Sequence, residues 1–120
     1  MKTVLIIEDN RVNMELTVQL LEGQYEIVSA GDGATGVHLS LIHSPDLIVM
    51  DLSLPVMDGW QAIREIRQNP ATEHIPVLAL SAHADEVKVA RAMAAGANEY
   101  LTKPVDEDAL VEAVTRLTGS

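Results

Sequence analysis

Short, uninterrupted runs of apolar residues are the feature that most limits how this chain can fold. Three of them, at residues 4–7, 47–50 and 77–80, contain no polar residue and do not alternate with polar ones. A strand with both faces buried has this pattern, and such strands are typical of parallel sheets covered by helices on both sides. Two more mixed runs, at 25–30 and 99–101, suit the edges of the same sheet.

The segments between these runs have the 3.6-residue period of amphipathic helices. The apolar stripes that this period predicts are Val12, Leu16 and Leu20; Val37, Leu41 and Ile42; Ile63 and Ile66; Val89 and Met93; and Leu110, Val114 and Leu117. Alternating strands and helices give a parallel sheet with right-handed crossovers. The sequence therefore predicts an α/β fold of (βα)5 type, a doubly wound five-stranded sheet in a three-layer α/β/α arrangement, as one domain over residues 1–120.

Composition excludes several classes of function. The 120 residues suit one domain, and 18 acidic against 8 basic residues give a net charge of -10, which disfavours direct binding to nucleic acid or anionic membranes. The absence of cysteine removes disulfides and thiolate metal sites. No apolar run approaches the roughly 20 residues of a transmembrane helix. We therefore expect a cytoplasmic protein whose partners are other proteins.

Polar residues follow four of the predicted strands at the point where each strand ends. Glu8 and Asp9 follow the first run, Asp51 the third, Ser81 the fourth, and Lys103 lies just after the fifth. Ligands of open parallel sheets bind outside the carboxyl ends of the strands. Three neighbouring carboxylates favour a hard cation such as Mg²⁺, and a lysine opposite them favours a further anion such as a phosphoryl group. A carboxylate beside Mg²⁺ can accept that group as a nucleophile.

Each of these residues also has a simpler interpretation when it is taken alone. Asp9, Asp51 and Ser81 are residue types that commonly cap helices or form turns. Lys103 alone is typical of a solvated surface lysine. Capping does not explain why such residues follow four different strands together, and we therefore interpret them as one site.

Four longer stretches resemble the receiver domain of two-component response regulators. They are VLIIEDN at 4–10, PDLIVMDLSLPVMDG at 45–59, IPVLALSA at 75–82 and GANEYLTKP at 96–104. The resemblance runs from Lys2 to about Leu117, which is nearly the whole chain. It implies a flavodoxin-like strand order of 2-1-3-4-5, which the periodicity alone does not give.

The resemblance implies a role for each residue of the predicted site. Asp51 accepts a phosphoryl group from the phosphohistidine of a histidine kinase or a histidine phosphotransfer protein. Glu8, Asp9, Asp51 and the backbone carbonyl of Ser53 hold Mg²⁺, with Glu8 acting mainly through a bound water. Lys103 pairs with Asp51 or with the phosphoryl oxygens.

The resemblance also implies a switch. Ser81 hydrogen-bonds the phosphoryl group, and Tyr100 then swings inward and changes the face formed by the fourth helix, the fifth strand and the fifth helix. The Lys103–Pro104 peptide is expected to be cis. Such a module is not an enzyme beyond its own phosphorylation and dephosphorylation, and it signals to a downstream protein that the sequence does not identify.

Three alternatives remain at this point. An Asp-nucleophile phosphatase generally has a second Asp two residues after the nucleophile, but Ser53 stands there. A flavodoxin-like electron carrier needs a phosphate-binding loop and aromatic flanks for the flavin, and only 2% of the residues are aromatic. The chain could also be a receiver excised from a hybrid kinase or a longer regulator. We expect a free-standing receiver, because Met1 directly precedes the first strand.

The first helix carries more apolar residues than one buried stripe requires. Its spacing predicts a core face and a second apolar line, namely Val12, Leu16 and Leu20 for the core and Met14, Val18 and Leu21 for the second line. Receivers present this helix to the phosphohistidine of the partner. We therefore expect Met14, flanked by Arg11 and Asn13, to contact the donor protein.

Overall fold

Strands and helices alternate along the whole of the described chain. The computed structural model describes residues 1–52, 58–82 and 86–119. The strands are β1 (Thr3–Ile7), β2 (Glu26–Ala30), β3 (Leu47–Asp51), β4 (Val77–Ser81) and β5 (Glu99–Thr102). The helices are α1 (Arg11–Leu21), α2 (Gly33–His43), α3 (Gly59–Gln68), α4 (Glu86–Ala95) and α5 (Glu107–Thr118). Among these residues, no helix combines the length and apolar character needed to cross a membrane.

The five strands form one parallel sheet in the order β2-β1-β3-β4-β5. This order confirms the flavodoxin-like arrangement that the resemblance implies, and every predicted strand is present within one residue of its expected bounds. The register pairs Ile7 with Met50 and Ser81 with Thr102. The carboxyl ends of the strands therefore lie together along one edge of the sheet.

Two apolar clusters separate the sheet from the two helical layers. One cluster joins alternate strand residues to α2, α3 and α4, and the other joins the remaining strand residues to α1 and α5. Leu5 and Ile48 contribute to the first cluster, whereas Val4 and Val49 contribute to the second. All four are buried. Burial on both faces explains why the central strands carry continuous rather than alternating apolar residues.

Helix α1 packs through a different face from the one that its spacing predicted. Met14 and Val18 pack against the apolar cluster and Leu21 is fully buried, whereas Val12 and Leu16 are exposed. The prediction of a core stripe beginning at Val12 was therefore wrong for its first two members. Both lines of the helix are apolar, so periodicity alone could not choose between them.

Helix α2 approaches the sheet through its small residues. Gly33, Gly36 and Ser40 are buried, whereas Leu41 and Ile42 are exposed. A Cβ atom on Gly36 would lie 2.3 Å from Cδ1 and 2.7 Å from Cγ1 of Ile7, so any larger residue there would force this buried side chain to shift. The predicted stripe at Leu41 and Ile42 was wrong because a pattern of large apolar residues does not register packing by glycine and serine.

The helix starts follow ordinary capping chemistry. Side-chain oxygens of four N-cap residues accept a hydrogen bond from the backbone N–H three residues further on; these residues are Asn10, Asp32, Asp58 and Asp106. At the end of α2, Ser44 has a φ of 45°, in the left-handed region, directly before Pro45. This agrees with the predicted stop at Ser44, since a residue before proline avoids the helical region.

Gly59 provides a test of how tightly α3 is held against the sheet. A Cβ atom there would lie 2.5 Å from the Cα of Leu52 and 2.7 Å from the backbone oxygen of Asp51. These are backbone atoms, which cannot rotate away as the end of a flexible side chain can. We expect Gly59→Ala to lower the free energy of unfolding in urea by about 1–3 kcal/mol, although alanine favours helix more than glycine does.

Gly31→Ala is the matched control, because nothing lies within 4 Å of the Cβ atom that it would add. Its free energy of unfolding should stay within about 0.5 kcal/mol of the wild type. Equal effects of the two substitutions would contradict the close approach of α3 to β3.

Candidate functional site

The predicted site residues lie at the carboxyl edge of the sheet. Asp51 ends β3 and Ser81 ends β4, while Glu8 directly follows β1 and Lys103 directly follows β5. Two backbone hydrogen bonds hold the flanking segments in place: the N–H of Glu8 donates to Ala30 at 3.0 Å, and the N–H of Lys103 donates to Ser81 at 2.7 Å. Residues that are distant in sequence therefore converge because the parallel strands end together.

Three carboxylates form a compact cluster at this edge. One oxygen of each of Glu8, Asp9 and Asp51 lies within 4.8 Å of the other two. Glu8 and Asp51 are only 5% and 4% exposed, whereas Asp9 is open to solvent. Oxygen ligands of this kind fit a hard divalent cation such as Mg²⁺. Ser53, whose carbonyl was expected as a further ligand, lies outside the described residues.

Lys103 bridges the two buried carboxylates. Its Nζ atom lies 2.9 Å from Oε1 of Glu8 and 3.3 Å from Oδ2 of Asp51. Burial alone would lower the pKa of Lys103, but the hydrogen bond to Glu8 and the charges of both carboxylates raise it above the ordinary value of lysine. The ammonium group therefore stays charged. The Lys103–Pro104 peptide is cis, in agreement with the expectation from the resemblance.

Glu8 holds its proton more strongly than an ordinary glutamate. Burial, together with a hydrogen bond to Asp51 and the negative charge of Asp51, raises the pKa of Glu8 to about 7, although Lys103 acts in the opposite direction. One positive charge does not balance the buried carboxylates, and a proton makes up part of the difference near neutral pH. A bound cation would do the same.

The two predicted switch residues occupy neighbouring strands. Ser81 is 1% exposed at the end of β4. Tyr100 lies in β5, is half-buried and packs against the cluster shared with α3 and α4. In the parallel register it is opposite Ala79, two residues before Ser81. Their switching roles stay predictions.

A cavity lies beside the site, between α1 and α5, and the sequence did not indicate it. Its volume is about 430 Å³. Its apolar wall is formed by Leu16, Leu20, Leu80, Val105 and Leu110, and it reaches Glu8 and Lys103. Its residues come from distant parts of the chain, so no local pattern could have indicated it.

Comparison with known proteins decides the family. A family model described as the response regulator receiver domain matches residues 4–115. The chain belongs to the response regulator receiver domain family. The polar-differentiation response regulator DivK of Brucella anthropi is 33% identical over 119 residues, with 98% of this chain and 97% of that protein covered.

Solved receiver domains have the same fold. The receiver domain of the sensor histidine kinase PA1611 from Pseudomonas aeruginosa is 34% identical, with a TM-score of 0.92 over 99% of this chain and 98% of that one. That structure has a magnesium ion coordinated in its active site cleft. The Vibrio cholerae chemotaxis protein CheY4 is 25% identical, with a TM-score of 0.91 over 98% of each chain.

These relatives establish the general function. The chain is a receiver domain of two-component signal transduction, a signalling module that works in phosphorelays. Its cluster of Glu8, Asp9 and Asp51 could hold a metal ion. Receivers of histidine kinases and of response regulators are both among its structural relatives.

The raised pKa of Glu8 makes the stability of the metal-free protein depend on pH. Its pKa rises from 4.5 to about 7 on folding, so the folded state retains a proton that the unfolded state has released. This stabilisation is complete below pH 4.5 and is lost as the pH rises through about 7. Between pH 5 and pH 8, the free energy of unfolding of the wild type should fall by on the order of 1–2 kcal/mol more than that of Glu8→Gln.

The measurement is urea unfolding in the presence of a chelator at both pH values. Glu15→Gln is the control, because this glutamate is exposed and its neighbour Arg11 forms only an exposed ion pair with it. Its pH dependence should match that of the wild type. Parallel curves for the wild type and Glu8→Gln would show that Glu8 does not titrate abnormally.

Proposed function

We propose that Asp51 is the phosphoacceptor and that it takes its phosphoryl group from the phosphohistidine of a histidine kinase or histidine phosphotransfer protein. The position of Asp51 at the end of the central strand supports this most directly. It is buried, an ammonium group lies 3.3 Å from it, and two further carboxylates flank it. Asp9 is exposed, and Glu8 holds its proton to about pH 7, so both are weaker candidates.

The transfer needs positioning more than covalent chemistry from the protein. A carboxylate oxygen of Asp51 forms the new bond to phosphorus, the phosphorus–nitrogen bond breaks, and the imidazole of the donor leaves with the electron pair. The ammonium group of Lys103 neutralises charge on the phosphoryl oxygens. The Ser81 hydroxyl donates a hydrogen bond to the phosphorylated product.

The carboxylate cluster suits Mg²⁺ as the cofactor of this reaction. Glu8, Asp9 and Asp51, with the carbonyl of Ser53, are the residues that would hold it. When bound, Mg²⁺ neutralises negative charge on the carboxylates and on the incoming phosphoryl group. The support comes from the chemistry of the ligands, since three carboxylates this close to one another favour a small divalent cation.

The output of the module is a change in protein contacts rather than catalysis. We propose that Ser81 and Tyr100 act as the switch and that α4, β5 and α5 form the face that changes. The chain functions as one receiver domain over residues 1–120, in the cytoplasm, and its partners are proteins rather than nucleic acid or membranes. Ser53, at the place where phosphatases carry a second Asp, argues against a phosphatase activity on other substrates.

Replacing the acceptor should abolish phosphorylation without unfolding the chain. We expect Asp51→Asn to lose labelling by acetyl phosphate in the presence of Mg²⁺, because an amide oxygen is a poor nucleophile towards phosphorus. The measurement is the mass increase of one phosphoryl group. Asp108→Asn is the control, because Asp108 lies exposed in the first turn of α5. Labelling of Asp51→Asn at the rate of this control would reject Asp51 as the acceptor.

The outer face of α1 is the surface that we propose for the donor protein. The expectation for Met14 needs correction, because Met14 is half-buried against the core. Val12 and Leu16 carry the exposed apolar surface instead, and Leu16 lines the cavity that reaches Glu8 and Lys103. A donor that packs there brings its phosphohistidine close to the carboxylate cluster.

A substitution at Leu16 separates docking from chemistry. We expect Leu16→Asp to slow phosphoryl transfer from a donor protein by at least about tenfold, because charged side chains disrupt apolar contacts at an interface core. Labelling by acetyl phosphate needs no docking and should stay near the wild-type rate.

Leu41→Asp is the matched control, because Leu41 is 42% exposed, compared with 54% for Leu16, and lies on α2 in the other helical layer. It should leave both rates unchanged. If Leu16→Asp slows both reactions equally, the substitution has damaged the site. If it slows neither, the donor docks elsewhere.

A further inference from the structure

A cation–π contact joins α3 to α4 beside the site. The guanidinium carbon of Arg91 lies 4.2 Å from the centroid of the Trp60 ring. The indole is half-buried against the apolar cluster, and its N–H finds no acceptor among the described residues. Among the described residues, apolar packing and the arginine are the contacts that hold the ring. No sequence motif links these two residues, and the receiver function described above does not use the contact.

Backbone contacts join the start of α3, where Trp60 lies, to the end of β3, where Asp51 lies. Its neighbour Gly59 donates its N–H to the carbonyl of Leu52 at 3.1 Å. Gly59 also lies so close to the backbone of Asp51 and Leu52 that a methyl group would not fit between them. A displacement of the backbone at Asp51 therefore reaches the indole without a flexible side chain in between.

Arg67 anchors the carboxyl end of α4, the helix that carries Arg91. The guanidinium of Arg67 donates to the carbonyl of Gly96 at 3.0 Å, directly after α4, and to Oδ1 of Asn98 at 2.8 Å. It also donates to the carbonyl of Ile75 at 2.6 Å. The opposite end of α4 is the one that follows β4 in the chain, and β4 ends at Ser81. A pull on the Ser81 end would tilt α4 about its fixed end near Gly96.

We propose that the stack of Arg91 on Trp60 is a latch that holds α4 in its unphosphorylated position and opens when Asp51 is phosphorylated. This inference rests on the proposed acceptor role of Asp51. A contact made in only one of two states stabilises that state, and ligands of the other state must overcome it. By thermodynamic reciprocity, removing the latch raises the affinity of the site for a phosphoryl group or its mimic.

The first test measures affinity for beryllofluoride, a phosphoryl mimic, by calorimetry in the presence of Mg²⁺. We expect Arg91→Ala to bind it about two- to fivefold more tightly than the wild type, which corresponds to the strength of an exposed cation–π contact. Arg91→Lys keeps a cation and should lie closer to the wild type. Arg64→Ala is the charge-matched control, because Arg64 is an exposed arginine of α3, and it should not tighten binding.

The second test uses the fluorescence of Trp60, which is the only tryptophan in the chain. Saturating beryllofluoride should move the wild-type emission towards that of unliganded Arg91→Ala. The emission of Arg91→Ala itself should change much less on binding, because its latch is already open. Circular dichroism checks that both variants remain folded, which we expect because Arg91 is exposed.

The outcomes separate the latch from the acceptor role. If calorimetry shows binding that requires Asp51, but Arg91→Ala matches the wild type in affinity and in its change of emission, the latch is wrong and the acceptor role stands. If Arg64→Ala tightens binding as much as Arg91→Ala, general electrostatics explains the effect and the latch is again wrong. If beryllofluoride does not bind the wild type, the acceptor role fails and the latch fails with it.

Discussion

The ammonium group of Lys103 lies between two buried carboxylates, and the geometry of the site depends on that contact. Glu8 and Asp51 would repel each other without it, since each is almost inaccessible to water. One positive charge is still too few for the cluster, because Asp9 adds a third carboxylate. The remaining imbalance explains both the raised pKa of Glu8 and the suitability of the cluster for a divalent cation.

The parallel sheet makes this crowding possible. Strands β1 and β3 pair in register, so Glu8, directly after β1, lies beside Asp51 at the end of β3. Strand β5 pairs with β4, and Lys103 directly after it therefore lies at the same edge. The buried strands are held by two apolar clusters and do not depend on the charged edge. The fold can therefore tolerate unfavourable electrostatics at this edge, because most of its stability comes from elsewhere.

The strands and the site were predictable from the sequence for a physical reason. Burial on both faces requires continuous apolar runs, and the residue after each run must lie at the ligand-binding edge. The face of α1 was not predictable, because Leu16 and Met14 are both apolar and only packing distinguishes them. The buried face of α2 was predicted wrongly, because its buried residues include Gly36 and Ser40 rather than large apolar residues. The stack of Arg91 on Trp60 joins residues on separate helices, and the periodicity of apolar residues in a sequence does not predict such a contact.

The structure that brings these charges together also limits which elements can move when Asp51 is phosphorylated. A phosphoryl group on Asp51 adds negative charge at an edge that already carries too much, so donors and cations near it must rearrange. The strands cannot move far, because their side chains are buried on both faces. Arg67 of α3 donates a hydrogen bond to the carbonyl of Gly96, in the turn directly after α4, and so holds the carboxyl end of α4 against α3. The end of α4 that follows β4 in the chain lies away from this anchor, and it is the end that the proposed latch would release.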